Sequence, residues 1–302
     1  MHLDAPTQLF LRLPAHAADY SFHDPYTAEP YWYCGNTRKT GCVYHNHIHK
    51  EVEIHHILRG HVRVRVNGTE FTLSPGDILI LNPYDNHEGW IDVNESVRFR
   101  HTAFDLQKFA SMCGEAVSKE ASQISGGTMR FVNVIRQTNS AAAIFVDAIS
   151  RICDAFGLAG TNPVVGDLHL MAEICRLISC LFETDRFCAQ RELRRSVEFI
   201  REVSDYTEAH YPEELTTGTV SEAFGYSEGY FCALFRQNFG MTFSVYLNRY
   251  RIARAIDRDG KLALTELSFR VGYTNYSYFS RCFKQYTGMS PSTYFAMKHP
   301  KM

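Results

Sequence analysis

The residue pattern predicts an α+β chain: an N-terminal antiparallel β-barrel, then helices, then an all-α C-terminal domain with two helix-turn-helix units. Three observations carry this expectation. Apolar and polar residues alternate in short stretches between residues 28 and 105, the apolar spacing turns helical beyond residue 106, and a segment of the last third recurs 47 to 48 residues later. The expected divisions are therefore 1–105, 106–189 and 190–302. At 302 residues and 45% hydrophobic content the chain can build more than one core.

Met1 to Pro14 lacks a basic segment followed by an apolar run and a small-residue cleavage site, and no apolar stretch reaches bilayer-spanning length. A cytoplasmic location without membrane contact is expected. The nine cysteines are scattered, with no CxxC pair, so buried reduced thiols are expected rather than a disulfide framework or a zinc knuckle.

In the first segment Val62, Val64 and Val66 alternate with His61, Arg63 and Arg65, and Asn67-Gly68 supplies a tight two-residue turn before Phe71 and Leu73 resume the alternation. A hairpin with one buried face follows. Ser74-Pro75-Gly76-Asp77 reads as a turn, Ile78 to Leu81 as a buried strand, and Val97, Phe99, His101 and Ala103 as an alternating strand. Farther on, Ala141–Phe156 and Leu168–Phe182 carry helical apolar spacing around the breaker stretch Gly157–Gly166, which predicts a packed helix pair.

The recurring segment runs from Gly225-Tyr226-Ser227 to Gly272-Tyr273-Thr274, and Phe231, Phe235, Gly240, Met241 and Tyr246 return as Phe279, Phe283, Gly288, Met289 and Tyr294. Each copy reads as a helix, a glycine-containing turn and a second helix opening at a polar cap. In the first copy Gly229, Cys232, Ala233 and Arg236 face outward. In the second, Phe279, Cys282, Phe283 and Tyr286 face inward, and Tyr276, Ser277, Ser280, Arg281 and Lys284 face outward. Charge separates in the same place: residues 229–302 hold eleven Lys/Arg against three Asp/Glu, although the whole chain sums to −2. A basic face with hydrogen-bonding groups suits double-stranded DNA better than a helical repeat built for protein contacts. Arg281 is the expected base reader, an ion pair with Glu266 being the competing expectation.

Residues 194–295 resemble the DNA-binding domain of AraC-type regulators, through Leu267-Ser268-Phe269-Arg270-Val271-Gly272-Tyr273, Tyr278-Phe279-Ser280-Arg281 and Gly288-Met289-Ser290-Pro291. The resemblance implies a long helix, Phe243 to Ile256, joining the two units. Ser221 and Ser268 replace the usual small alanine, and Thr217-Gly218 departs from a strong helix opening.

Gly41, His47, His49, Glu53 and Gly60, with Gly76-Asp77, Pro83 and His87, resemble the two motifs of the cupin barrel. Three imidazoles and one carboxylate form a donor set for a divalent transition metal such as zinc, iron, nickel or manganese. The same polar residues also suit an organic effector without metal, and both readings stand at this level. His45, His55, His56 and His101 read as ordinary strand or surface histidines, and Tyr33, Tyr44 and Trp90 as packing residues. Together the two resemblances imply a small-molecule-responsive, sequence-specific transcription regulator, an activator and homodimer with RNA polymerase as a partner. A metal-dependent cupin enzyme with a helical appendage is the alternative. A duplicated basic face serves no catalytic need, so an enzyme is not expected.

Overall fold

A computed structural model describes residues 30–34, 42–92, 95–111, 113–159, 163–189, 191–257 and 262–298. The described residues up to Glu198 form one compact unit, and those from Phe199 onward form a second.

The first unit is built on antiparallel strands β1 (Pro30–Cys34), β2 (Cys42–His47), β3 (Val52–Arg59), β4 (Val62–Val66), β5 (Thr69–Leu73), β6 (Ile78–Leu81), β7 (His87–Trp90) and β8 (Ser96–Phe104). Short strands β9 (Met129–Phe131), β10 (Val134–Ile135) and β11 (Arg186–Cys188) follow. One sheet has the order β1-β8-β3-β6-β10, another β2-β7-β4-β5, and β9 pairs with β11. The expected hairpin is present: Val66 pairs with Thr69 around Asn67 and Gly68, whose φ values of 48° and 85° are what a two-residue turn between twisted strands requires.

The expected barrel takes the form of two facing sheets, with no ladder closing one onto the other among the described residues. The chain passes between them at Gly60, at φ 77°, so that β3 and β4 lie in different sheets. Val43, Tyr44, Val62, Val64, Val66 and Leu73 of one sheet share a core with Ile57, Leu79, Leu81, Val97 and Phe99 of the other. The opposite face of the larger sheet is covered. Val52, Ile54, Ile78, Ile80 and Phe104 pack with helices α1 (Leu106–Ala110), α2 (Glu115–Ser125), α3 (Ser140–Ala159) and α4 (Pro163–Glu183). Strand alternation therefore aims Val52 and Ile54 at the helices and sends Glu53, His55 and Ile57 between the sheets. The helix pair extends past the apolar runs that predict it. Pro163 opens α4, where a missing N–H costs nothing.

The second unit contains most of α5 (Arg191–His210), and then α6 (Thr217–Ala223), α7 (Glu228–Phe239), α8 (Phe243–Asp257), α9 (Leu264–Arg270), α10 (Tyr276–Thr287) and α11 (Pro291–Lys298). The helix of residues 243–256 implied by the resemblance is α8. The two copies of the repeat share their helix ends: Ser227 and Asn275 cap α7 and α10 by accepting from the backbone N–H of Tyr230 and Tyr278, and Gly240 and Gly288 close them in the left-handed conformation. Phe231, Phe235 and Phe239 of α7 are buried with Phe243, as are Phe279 and Phe283 of α10 with Phe295. Ser221 and Ser268 are buried where alanine is usual, and each hydroxyl is satisfied by donating to the carbonyl three residues back.

Candidate functional site

Two groups of residues stand out, one in each unit. In the sheet unit, Glu53 on β3 is fully buried and meets imidazoles on both of its oxygens. Oε2 lies 2.8 Å from His49 Nε2 and 3.7 Å from His87 Nε2. Neighbouring strands set this up: His47 at the end of β2 is in register with His87 at the start of β7, and their rings approach to 4.1 Å between centroids. The predicted set His47, His49, Glu53 and His87 thus converges, with one donor atom from each residue all within 4.8 Å of one another. Gly41, the opening glycine of the first motif, lies outside the described residues, as does the side chain of Tyr33.

The residues fit a divalent cation. His87 Nδ1 donates to the backbone carbonyl of Asp85 at 2.9 Å, which leaves Nε2 as the lone-pair nitrogen, buried and with no hydrogen-bond partner. Burial pushes the His87 imidazole below its ordinary pKa, favouring the neutral ligand form. Burial also works against the charged form of His49, but the hydrogen bond and charge of Glu53, with the charge of Glu51, carry that pKa above its ordinary value. Asp85 is itself held by Arg130, buried on β9, and accepts from the backbone N–H of Asn82 at 2.8 Å.

Sequence reasoning passed over His55 and His101. Both are buried, and both approach the second oxygen of Glu53: His55 Nε2 at 2.7 Å and His101 Nδ1 at 2.9 Å from Oε1. They are cross-strand partners on β3 and β8. Their inward positions in alternating strands were a usable signal, but the pairing itself depends on register. Tyr44 packs as expected, its ring lying 5.7 to 5.8 Å from His47, His55 and His87 and over Gly89, where a Cβ would strike it at 2.6 Å. Trp90 packs beneath Arg63 and Arg65.

In the helical unit, Gly229, Cys232, Ala233 and Arg236 are all exposed along α7. On α10, Ser277, Arg281 and Lys284 are exposed, whereas Tyr276 and Ser280 are half-buried. Tyr276 differs from the outward placement expected of it. As the first residue of α10 it leans on the core, 6.0 Å from Phe279, because the apolar ring gains more from that contact than from water. The Arg281–Glu266 pair does not form: Glu266 accepts from Arg270 at 2.8 Å, and the Arg281 guanidinium lies over Tyr278 at 5.8 Å. Tyr278 is an unpredicted member of this face, exposed and accepting from Asn248 Nδ2 at 3.1 Å.

No helix among the described residues is long and apolar enough to cross a membrane. Comparison with known proteins agrees with the two-part geometry. Residues 29–184 match the AraC-like ligand binding domain, and residues 220–297 match a helix-turn-helix domain. Over 97 residues the chain is 32% identical to the transcriptional regulatory protein HptR of Staphylococcus aureus, covering 32% of this chain and 38% of that protein. The Msm operon regulatory protein of Streptococcus mutans is 22% identical over 245 residues, covering 80% of this chain and 82% of the other. ToxT from Vibrio cholerae O395 bound to (E)-4-(8-methylnaphthalen-1-yl)but-3-enoic acid shares the fold, with a TM-score of 0.52 at 13% identity over 90% of this chain and 99% of that one. Because the ligand-binding match alone spans more than half of its length and a helix-turn-helix match follows, the chain belongs to the AraC family of transcription regulators.

Proposed function

We propose that this chain is a cytoplasmic, effector-responsive regulator that binds specific double-stranded DNA through both helix-turn-helix units. The observation that carries this reading is the pair of equivalently capped helices α7 and α10, each with its phenylalanines buried and the opposite face left exposed. Helices so presented enter successive major-groove segments about one turn, roughly 34 Å, apart. Arg281, Ser277 and Ser280, with the edge of Tyr276, face base edges, while Lys284 and Arg236 meet phosphates. Gly229, Cys232 and Ala233 allow close approach of the α7 backbone. The excess of basic residues over 229–302 supplies the sequence-independent attraction.

The buried site between the sheets is the effector site in this reading, and His47, His49, Glu53 and His87 would hold a divalent transition metal there. When bound, the ion supplies a Lewis-acidic centre for an oxygen- or nitrogen-bearing effector. The chain's own residues orient that centre and keep it dry; no turnover is assigned. A homodimer through α3 and α4 is supported by Ile144, Val164 and Leu168, large apolar residues left exposed on that pair. An activator acting on RNA polymerase is the regulatory outcome we assign.

Selection of bound duplexes from a random pool by the full chain tests the reading. A two-part motif with half-sites about one turn apart and a steep salt dependence is expected. A chain that enriches no sequence, or binds with no salt dependence, contradicts it.

A further inference from the structure

Glu53 stands between two sets of imidazoles, only one of which belongs to the cupin-like motif. The Oε2 side faces His49 and His87, and the Oε1 side faces His55 and His101. One possibility is that both sets ligate, with Glu53 bridging two ions, since His55, His101 and Glu53 also place their donor atoms within 4.8 Å of one another. Charge argues against it. Glu51 and Glu53 are both buried, and His49 Nδ1 lies 3.7 Å from Glu51 Oε2, so the cluster carries two negative charges. One divalent ion balances them. A second would leave two positive charges uncompensated between the sheets, and buried charge persists only where it is paired.

The alternative satisfies Glu53 Oε1 and both ring nitrogens that face it. As a carboxylate, Glu53 only accepts, so two ring nitrogens at 2.7 and 2.9 Å from one oxygen are both donors. His55 is then the Nε2–H tautomer and His101 the Nδ1–H tautomer. The His55 ring is held in turn by Phe99, stacked at 5.2 Å with an interplanar angle of 1°. Strand register brings His55 opposite His101, so both donors stand on rigid, hydrogen-bonded backbone.

We infer that His55 and His101 are positioning residues that occupy Glu53 Oε1 with two N–H donors, so that Oε2 alone is offered to a single ion at His47, His49 and His87. This rests on the metal reading of that site. The pair restricts the carboxylate to one-oxygen ligation and preorganises the ligand set; loss of such hydrogen-bonding partners behind a ligand weakens ion binding by about 10- to 100-fold.

Zinc titration of the untagged, chelator-stripped full chain, combined with imidazole ¹⁵N NMR, tests this. Wild type is expected to bind one zinc and to show protected N–H protons on His55 Nε2 and His101 Nδ1. His55→Leu and His101→Leu should weaken zinc binding by about 10- to 100-fold while keeping the stoichiometry of one. His55→Gln and His101→Asn replace the donating nitrogen with an amide N–H, and should restore most of the affinity without replacing a ligand. Two zinc ions in wild type, falling to one in His101→Leu, would show that the pair ligates and overturn the inference. So would unchanged affinity in folded leucine variants, with folding read from the wild-type-like NMR spectrum. A wild type that retains both protected N–H protons but takes up no zinc overturns the ion site itself, and the assignment with it. That pattern separates failure of the metal reading from failure of the positioning role.

Discussion

The two helix-turn-helix units are copies of one sequence pattern, yet the same glycine does different work in each. Gly225 and Gly272 both end the turn helix with positive φ, at 70° and 93°. A Cβ on Gly225 meets open space. On Gly272 it would meet the carbonyl oxygen of Tyr211 at 2.5 Å and the Arg251 guanidinium at 2.9 Å. That carbonyl accepts from Arg251 Nε at 2.8 Å, and Arg251 Nη2 reaches the carbonyl of Glu213 at 2.7 Å, so the second turn is fastened through a buried arginine to the end of α5. A repeat in sequence therefore does not imply a repeat in constraint. The first turn packs Phe224 and Tyr226 on Tyr206 and Phe199 of α5 but leaves its glycine open, whereas the second brings distant backbone against its glycine.

The largest expected effect follows from this contrast. Gly272→Ala should destabilise the second unit by about 3 kcal/mol, through left-handed strain plus a disturbed charged hydrogen bond, whereas Gly225→Ala should cost about 1 kcal/mol from strain alone. Hydrogen exchange of α9–α10 and of α6–α7 in the full chain measures the two; equal losses would break the comparison. Next, the outward faces differ in side chains able to read bases. Arg281→Ala should lose about 1 to 3 kcal/mol of discrimination at one base position, and binding to a panel of altered sites would register it. Unchanged preference would move specificity to α7 or to Tyr278.

Smaller effects sharpen the contrast at the helix starts. Thr216 and Thr219 form a reciprocal capping box ahead of α6, with 3.1 Å and 3.0 Å hydrogen bonds, while α9 begins at Ala263 with no side-chain cap. The cap offsets the weak Thr217-Gly218 opening, so Thr216→Ala should cost about 1 kcal/mol in thermal unfolding, and Ala263→Ser should leave α9 as stable or more so. Smallest, Lys284→Ala should weaken binding to all sequences alike and flatten the salt dependence by about one unit. A change in base preference would instead make Lys284 a reader.

Much of the barrel site was legible because it follows a short linear spacing. His47, His49 and Glu53 lie within seven residues, at the end of β2, in the loop that follows and on β3, and His87 opens the strand that pairs with β2. The convergence of His55 and His101 on Glu53 was not legible. An imidazole two residues past a candidate ligand looks like any inward strand residue, and Glu53 is separated from His101 by 48 positions. Likewise, the outward face of α10 was predicted from helical spacing, but Tyr276 leans inward at the helix start, and Glu266 prefers Arg270 one turn along its own helix to Arg281 on another.

What this sequence determined by itself is everything set by neighbours along the chain: the Asn67-Gly68 hairpin, the alternation of β4, the helix caps Ser227 and Asn275, the glycine stops and the buried phenylalanine stripes. Each is a local balance of φ preference, hydrogen-bonding reach and apolar period, so a few residues suffice to state it. Tertiary structure alone decided which imidazoles share Glu53, why Gly272 admits no side chain where Gly225 has room, and that the strands form two facing sheets. These depend on cross-strand register and on backbone approaching backbone from distant segments. A one-residue shift in pairing would send His101 to the helix-covered face, and no local pattern records that choice.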